Sequence, residues 1–219
     1  MPAIPITAPK APPFGILEGM SANFVYLASA SPRRRELLHQ IGVPFRLIGI
    51  GVDETAHKDE APMAHVSRLA AAKAHAGWQC ARSPHAPVLA ADTAVVLDGE
   101  ILGKPRDGGD AKDMLLSLSG RTHEVLTAVA LRIADGLDIK VSRTLVTFRP
   151  IDAAEAAAYC NTGESADKAG AYAIQGRAAV FIADLRGSYS GVMGLPLFET
   201  AQLLEQAGVA RWQTIHPQQ

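Results

Sequence analysis

The chain has 219 residues, of which 48% are hydrophobic, 20% charged and only 5% aromatic, so it can bury an aliphatic core and is not disordered throughout. Its 21 basic and 22 acidic side chains give a formal charge of -1, which argues against binding to nucleic acids or membranes through bulk charge. Any affinity for a polyanion therefore has to come from a local cluster of cations.

The two ends of the chain and its cysteines bear on domain organisation and compartment. Residues 1–19 hold five prolines and lack the basic and apolar regions of a secretory signal, so they are predicted to be a disordered extension. We expect one domain over residues 20–210 and a short tail over 211–219.

The two cysteines, Cys80 and Cys160, are too few for a disulfide framework or a four-ligand zinc site. This cysteine usage favours a cytoplasmic protein.

Strand-like and helix-like segments alternate in the first half of the domain. The predicted elements are a strand over 24–28, a helix from Ser31-Pro32 to Gly42, a strand over 45–50, a helix over 63–81, and a strand over 88–97 that turns back through 101–102. The helix limits follow from a serine cap, a proline at the first helical position and a terminating glycine.

The second half contains a long hairpin among helices. The predicted elements are a helix over 107–118, a hairpin of 123–134 with 137–148, a helix over 152–160, a strand over 178–185 and a helix over 197–207. Hairpin strands beside helix-linked strands predict an α/β fold, a single domain with a central mixed β-sheet flanked by helices.

The common nucleotide-binding and hydrolase motifs do not match. The run from Gly49 lacks the third glycine of a dinucleotide fingerprint, and the run from Gly99 is one residue short of a phosphate-binding loop. The serines after Gly187 stand one position away from a nucleophile elbow. The residues that carry chemistry must therefore be sought elsewhere.

Three consecutive arginines, Arg33, Arg34 and Arg35, lie in the first turn of the first predicted helix, just after Ser29 and Ser31. Free N–H groups and the helix dipole make that end positive, so arginines there oppose the local field. Either they form a solvated basic face, or they converge with the serines and amides on a phosphate.

Asp92 interrupts the almost wholly apolar strand Val88–Leu97. A carboxylate inside a buried strand costs several kcal/mol unless it is paired or bound to a metal. The alternative is that the strand begins after Thr93 and Asp92 caps a loop. Alternation places Asp92 and Thr93 on opposite faces, so the strand has to bend or end there if both contact one ligand.

Further charges stand near the ends of the predicted elements: Asp53-Glu54, Lys73 and Lys104. Each alone is typical of a surface charge. Together with Asp92 and the arginines they are the groups needed for metal-assisted phosphoryl chemistry, in which carboxylates hold a divalent ion and cations hold phosphates.

These residues also carry a family resemblance, spread in order from about Tyr26 to Leu204. The motifs are L-A-S-A-S-P-R-R-R-E-L-L from Leu27, V-D-E from Val52, L-A-A-A-K-A from Leu69, A-A-D-T-A-V-V-L from Ala90, G-K-P from Gly103, L-S-G-R-T-H from Leu118, D-K-A-G-A-Y-A-I-Q-G from Asp167 and G-L-P-L from Gly194. The chain resembles the Maf family of nucleoside triphosphate pyrophosphatases, and the stretch from Lys168 is similar to its dTTP/UTP branch.

The resemblance implies a Maf/ITPase-like fold with a substrate cleft, and cleavage of a nucleoside triphosphate to the monophosphate and pyrophosphate. It implies a divalent cation, Mg²⁺ or Mn²⁺, as cofactor. The roles it implies are Asp92 as proton acceptor and metal ligand, Glu54 as metal ligand, Arg33, Thr93 and Gln175 in substrate preference, and Ser29, Arg34, Lys73 and Lys104 on the phosphates.

Two other functions stay open at this point: 7-methyl-GTP hydrolysis, which the same family includes, and nucleotide-dependent inhibition of septum formation without turnover. The expected partner is a small nucleoside triphosphate, with no stable nucleic-acid or membrane partner, because no aromatic residue lies within Ser31–Arg35 to stack on bases. A homodimer is compatible with the sequence.

Overall fold

A computed structural model describes residues 23–82 and 86–213. The predicted extension over residues 1–19 lies outside the described residues, as do the last six residues of the predicted tail. At the start of that tail, the amides of Trp212 and Gln213 donate to the carbonyls of Ile41 and Gly42, each at 3.0 Å.

Seven strands and six α-helices make up the described part of the chain. The strands are β1 (Val25–Leu27), β2 (Phe45–Leu47), β3 (Val88–Leu97), β4 (Glu100–Leu102), β5 (Thr122–Ile133), β6 (Gly136–Phe148) and β7 (Ile182–Arg186). The helices are α1 (Pro32–Gln40), α2 (Pro62–Cys80), α3 (Gly108–Leu118), α4 (Ala153–Cys160), α5 (Tyr189–Met193) and α6 (Leu197–Gln206), with 3₁₀ turns at Ala169–Ala171 and Arg177–Phe181.

All seven strands belong to one mixed sheet. The order is β2-β1-β3-β5-β6-β7, with β4 also paired to β3. β1 is parallel to both β2 and β3, whereas the pairs of β3 with β4 and β5, and of β6 with β5 and β7, are antiparallel. The predicted α/β fold with a mixed sheet is therefore confirmed.

Strand β3 runs through the core and contacts different helices with its two faces. On one face Leu89 packs with Leu37 of α1 and Leu203 of α6. On the other face Val88 packs with Val66 and other small residues of α2. Asp92 falls on the α2 face and Thr93 on the α1 face, since side chains alternate along a strand.

The edge of β3 that faces β1 is only partly covered. β1 pairs with Val88 and Leu89, and β4 pairs with Val95 to Leu97, so no strand in the described ranges pairs with this edge of β3 at residues 90–94. The ladder to β5 continues unbroken through Asp92 and Thr93. The strand thus neither begins after Thr93 nor ends there, and side chains from both faces reach the open edge.

Two predicted strands were too long, and one helix was missed. β2 ends at Leu47, not at residue 50. Residues 178–181 form a 3₁₀ turn rather than a strand, because Phe181 is buried against Phe148 and Tyr159 instead of pairing in the sheet. The missed helix, α5, has only five residues, and Ser188 caps it by accepting from the amide of Gly191.

The N-cap of α4 gives a direct test of the local structure. Asp152 Oδ1 accepts from the amides of Ala154 and Glu155 at 2.9 and 2.8 Å. Asp152→Ala should lower the free energy of unfolding by about 1 kcal/mol, because these two N–H groups lose their acceptor. Urea unfolding measures this. Asp113→Ala, at an exposed position inside α3, is the control and should change stability by less than about 0.5 kcal/mol; equal effects would contradict the capping role.

Candidate active site

A cleft of about 500 Å³ opens at the uncovered edge of β3. It is lined by residues from the β1–α1 turn, the β2–α2 and β4–α3 loops, α2, β3 and the segment after α4. The nine residues to which the resemblance assigns a role all line this cleft: Ser29, Arg33, Arg34, Glu54, Lys73, Asp92, Thr93, Lys104 and Gln175. Residues up to 146 positions apart in the sequence are thereby brought together.

Lys73 holds two of the acidic residues of the cleft, Asp92 and Glu54, together. Its ammonium lies 2.7 Å from Asp92 Oδ1 and 2.5 Å from Glu54 Oε1. Asp92 and Lys73 are buried, whereas half of the Glu54 side chain is exposed. Lys73 reaches Asp92 because α2 packs on the face of β3 from which Asp92 projects. The buried carboxylate is thus paired, as the sequence required.

The charge of Glu54 is stabilised by the same contact. The hydrogen bond from Lys73 lowers the pKa of Glu54, partial burial opposes this, and the positive charges of Lys73, Lys104 and Arg34 lower it further. Glu54 is therefore ionised throughout the neutral pH range, with Lys104 exposed at the same mouth of the cleft.

Arg34 is fixed by three hydrogen bonds on the other face of the sheet. Its guanidinium donates to the carbonyl of Gly194 at 2.7 Å, to Ser29 Oγ at 3.0 Å and to Thr93 Oγ1 at 3.3 Å. Burial lowers the pKa of Arg34 to about 10, although Asp92 opposes the shift. The guanidinium therefore stays protonated at neutral pH, and one serine and one threonine hold it toward the cleft.

The neighbouring arginines differ in their position. Arg33 lines the cleft and donates through Nε to the carbonyl of Met193 at 3.3 Å, whereas Arg35 is not among the lining residues. Ser31 precedes α1 at the N-cap position, as predicted, but its hydroxyl makes no capping hydrogen bond. Its amide donates instead to Ser29 Oγ at 3.2 Å, which ties the turn between β1 and α1.

A buried threonine that the sequence analysis missed supports Thr93. Thr127 lies opposite Thr93 on β5 and is almost fully buried. Its hydroxyl is 2.7 Å from the carbonyl of Gly191 and 3.0 Å from Thr93 Oγ1. An inward-facing hydroxyl in an apolar strand was the available sequence signal. Thr127 links β3 and β5 to α5.

The segment after α4 also brings an aromatic side chain to the cleft. Tyr172 lines it, and its hydroxyl lies 2.9 Å from His123 Nε2 in the interior. Burial lowers the pKa of His123 to about 4, so the imidazole is neutral at physiological pH. Phe148 packs edge-on against both rings. Gln175 stands on the same segment as Tyr172 with its side chain exposed to the cleft.

Asp167 and Lys168 also line the cleft and were given no role from the sequence. The two side chains form an ion pair with each other, and Arg33 lies near enough to Asp167 to help lower the pKa of that carboxyl after the larger contribution of Lys168. Both residues stand at the start of the D-K-A-G-A-Y motif, which was the only signal for them.

The donor set suits a hard divalent cation that takes some of its ligands from a substrate. Within residues 23–82 and 86–213, no three His, Cys, Asp or Glu side chains form a metal site made by the protein alone. Glu54 and Asp92 each contact the Lys73 ammonium through one carboxylate oxygen, so the two carboxylates lie close together and each carries a second oxygen. Mg²⁺ is commonly held by one or two carboxylates together with phosphates and water, so these two residues fit it.

Three similar proteins carry the same name. A dTTP/UTP pyrophosphatase of Aromatoleum aromaticum is 55% identical over 84% of this chain and 95% of its own length. Proteins of the same name from Nitrosomonas europaea and Alkalilimnicola ehrlichii are 50% and 55% identical, covering 87% and 83% of this chain and 97% and 92% of their own lengths. A solved structure of the Staphylococcus aureus Ham1 protein has a TM-score of 0.39 at 17% identity, over 59% of this chain and 72% of its own.

The helices in the described part of the chain include none that is long and apolar enough to cross a membrane.

The family model described as Maf-like protein matches residues 24–207, which contain the whole cleft. With this match and relatives at 50–55% identity, the chain belongs to the Maf-like protein family.

Proposed function

We propose that this protein hydrolyses dTTP and UTP to the nucleoside monophosphate and pyrophosphate. The observation that carries the proposal is the cleft in which a buried Asp92 is paired with Lys73 and which cationic side chains line. The names of the relatives support the substrates. The reaction would clear pyrimidine triphosphates from the nucleotide pool of the cytoplasm, where two free thiols stay reduced.

Asp92 is the general base of the proposed mechanism. Lys73 donates to its Oδ1 at 2.7 Å, which leaves Oδ2 to accept a proton from the attacking water. Because the carboxylate is buried and its position is fixed by Lys73, it needs little reorganisation when the water attacks the α-phosphorus in line with the pyrophosphate leaving group.

The cations stabilise the charge that develops on the phosphates. Arg34 is held rigidly by Ser29 and Thr93, so its fork is oriented for phosphate oxygens before substrate binds. Arg33 and Lys104 line the same cleft, and the more exposed Lys104 suits the outer phosphates. Preorganised charge of this kind is usually the largest contribution to lowering the barrier.

The proposed reaction uses a divalent ion, Mg²⁺ or Mn²⁺, as cofactor, and Glu54 and Asp92 would hold it. When bound, it would neutralise phosphate charge and lower the barrier to attack on phosphorus. The low pKa of Glu54 keeps this carboxylate ionised and ready to bind a cation at neutral pH.

Base selection is assigned to the wall that carries Gln175. A glutamine amide offers one donor and one acceptor edge, which matches the N3–H and carbonyl groups of uracil and thymine. A panel of common nucleoside triphosphates and 7-methyl-GTP, scored for pyrophosphate release, tests this assignment. The best activity is expected with dTTP and UTP. Faster hydrolysis of 7-methyl-GTP would contradict the base assignment, and no release from any nucleotide would favour a binding protein without turnover.

The role of Asp92 predicts the largest catalytic defect. Asp92→Asn should fold but lose at least about a hundredfold in kcat for dTTP, because the amide cannot accept the proton from water. Pyrophosphate release measures the loss, and circular dichroism checks the fold. Asp113→Asn, on the exposed surface of α3, is the control with the same chemical change. Near-normal turnover by Asp92→Asn would remove Asp92 from the mechanism.

The ion pair of Lys73 predicts a change in the titration of Glu54. Lys73→Met should raise the pKa of Glu54 toward the ordinary glutamate value, because the hydrogen bond from Lys73 is the largest cause of its low pKa. As the pH falls, the variant then loses the Glu54 charge at a higher pH than the wild type does. A carbon-detected NMR titration of the carboxyl measures this shift. Substitution of the exposed Lys58 by methionine, Lys58→Met, should leave the pKa of Glu54 unchanged. An unchanged pKa of Glu54 in Lys73→Met would refute the pairing.

The metal assignment predicts a dependence on Glu54. Removal of divalent ions with EDTA should abolish pyrophosphate release, and Mg²⁺ or Mn²⁺ should restore it. Glu54→Gln should raise the Mg²⁺ concentration for half-maximal activity at least about tenfold, since one anionic ligand is lost. The adjacent Asp53, whose carboxylate is engaged by Thr55 outside the cleft lining, supplies the control Asp53→Asn. Equal Mg²⁺ requirements in the two variants would contradict the assignment.

A further inference from the structure

Gln175 lies in a turn whose backbone is hydrogen-bonded on both sides of this residue to one polar cluster, formed by Tyr159 and Glu164. Two residues before it, the amide of Ala173 donates to the hydroxyl of Tyr159 at 3.3 Å. Two residues after it, the amide of Arg177 donates to Glu164 Oε2 at 3.1 Å. The backbone on either side of Gln175 is therefore hydrogen-bonded to residues at the end of α4.

Glu164 binds this segment as an anion. Its Oε1 accepts from the hydroxyl of Tyr159 at 2.9 Å and lies 3.4 Å from the amide of Ala178. Arg177 and Ala178 are the first two residues of a 3₁₀ turn, so the carboxylate occupies the N-terminal end of that turn, where unpaired amides favour a negative charge.

Close packing leaves the turn little freedom. A Cβ on Gly176 would lie 2.4 Å from both carboxylate oxygens of Glu164, so the carboxylate lies directly against the backbone next to Gln175. Tyr159 is buried and packs edge-on against Phe181, with ring centroids 5.4 Å apart. The cluster that holds the turn is thus anchored in the hydrophobic core.

From these contacts we propose that Glu164 and Tyr159 are positioning residues for base selection, which hold Gln175 at the depth and angle needed to read a pyrimidine. The inference rests on the proposed function, in which Gln175 contacts the base. Neither residue lines the cleft, so neither touches the nucleotide, and both act through the backbone of the turn.

The two side chains have complementary protonation states at neutral pH. Burial, followed by the contact with Glu164, raises the pKa of Tyr159, so the phenol remains a donor. Partial burial opposes ionisation of Glu164, but the amide of Arg177 and the hydroxyl of Tyr159 outweigh it and lower the pKa of that carboxyl. The cluster therefore persists at neutral pH without an external ligand.

The test measures selectivity rather than activity alone. The quantity is kcat/KM for dTTP divided by kcat/KM for dATP, with pyrophosphate release as the readout. Gln175→Ala should lower this ratio at least about tenfold, the effect of losing one or two hydrogen bonds to the base. Glu164→Gln and Tyr159→Phe, which preserve side-chain size, should each lower it at least about threefold. Thermal melting confirms that each variant is folded.

A double-mutant cycle separates positioning of Gln175 from general loosening of the structure. Adding Glu164→Gln to Gln175→Ala should change the ratio by less than about twofold, since the positioned side chain is already gone. Glu155→Gln is the matched control: Glu155 lies on α4 and pairs with Arg149 outside the cluster. It should leave the ratio unchanged.

Failure of the inference differs from failure of the proposed function. The inference is overturned if Glu164→Gln and Tyr159→Phe leave the ratio within about twofold of wild type. It is also overturned if Glu164→Gln lowers the ratio equally in the wild type and in Gln175→Ala, or if Gln175→Ala itself leaves the ratio unchanged. Absence of pyrophosphate release from wild type would overturn the proposed hydrolysis instead. In that case, calorimetry on the same variants measures the dissociation constants for dTMP and dAMP. The ratio of these two constants then takes the place of the kcat/KM ratio, and the same differences among the variants are expected.

Discussion

The site depends on one buried ammonium group. Asp92 is placed inside an apolar strand, where an unpaired carboxylate costs several kcal/mol, and Lys73 offsets this cost by contacting Asp92 and Glu54 together. That contact exists only because α2 packs closely on the sheet through small residues such as Ala70 and Ala74. A packing requirement of the core and an electrostatic requirement of the cleft are therefore met by the same helix.

The uncovered edge of β3 lets the two faces of the sheet serve one ligand. From one face come Asp92, the proposed base, and Lys73, which pairs with it. From the other face comes Arg34, held by Thr93 and by the carbonyl of Gly194, for which we propose a role on the phosphates. The segment after α4 closes the third side with Gln175. The near-neutral charge of the whole chain conceals this local concentration of cations and carboxylates.

The sequence predicted the charged groups better than the contacts that hold them. Asp92 was conspicuous because it broke an apolar strand, and the β3 bounds were correct at both ends. The hydroxyl of Thr127 in an apolar strand was visible in the sequence, but its partner, the carbonyl of Gly191, lies 64 positions away and was not. Glu164 was missed because the amide of Arg177 that it accepts from is 13 positions away, so no local sequence pattern marks the contact. The 3₁₀ turn at Arg177–Phe181 was predicted as a strand, since an apolar run does not reveal whether its partner is a sheet or an aromatic cluster.

The central claim of the proposed mechanism is that water attacks the α-phosphorus and pyrophosphate leaves. Hydrolysis of dTTP in ¹⁸O-labelled water, with phosphorus NMR or mass spectrometry of the products, tests this claim most directly. Attack at the α-phosphorus places the label in dTMP and leaves the pyrophosphate unlabelled, which is the result the proposed mechanism predicts. Label in the pyrophosphate, with none in dTMP, would show attack at the β-phosphorus and would contradict the account.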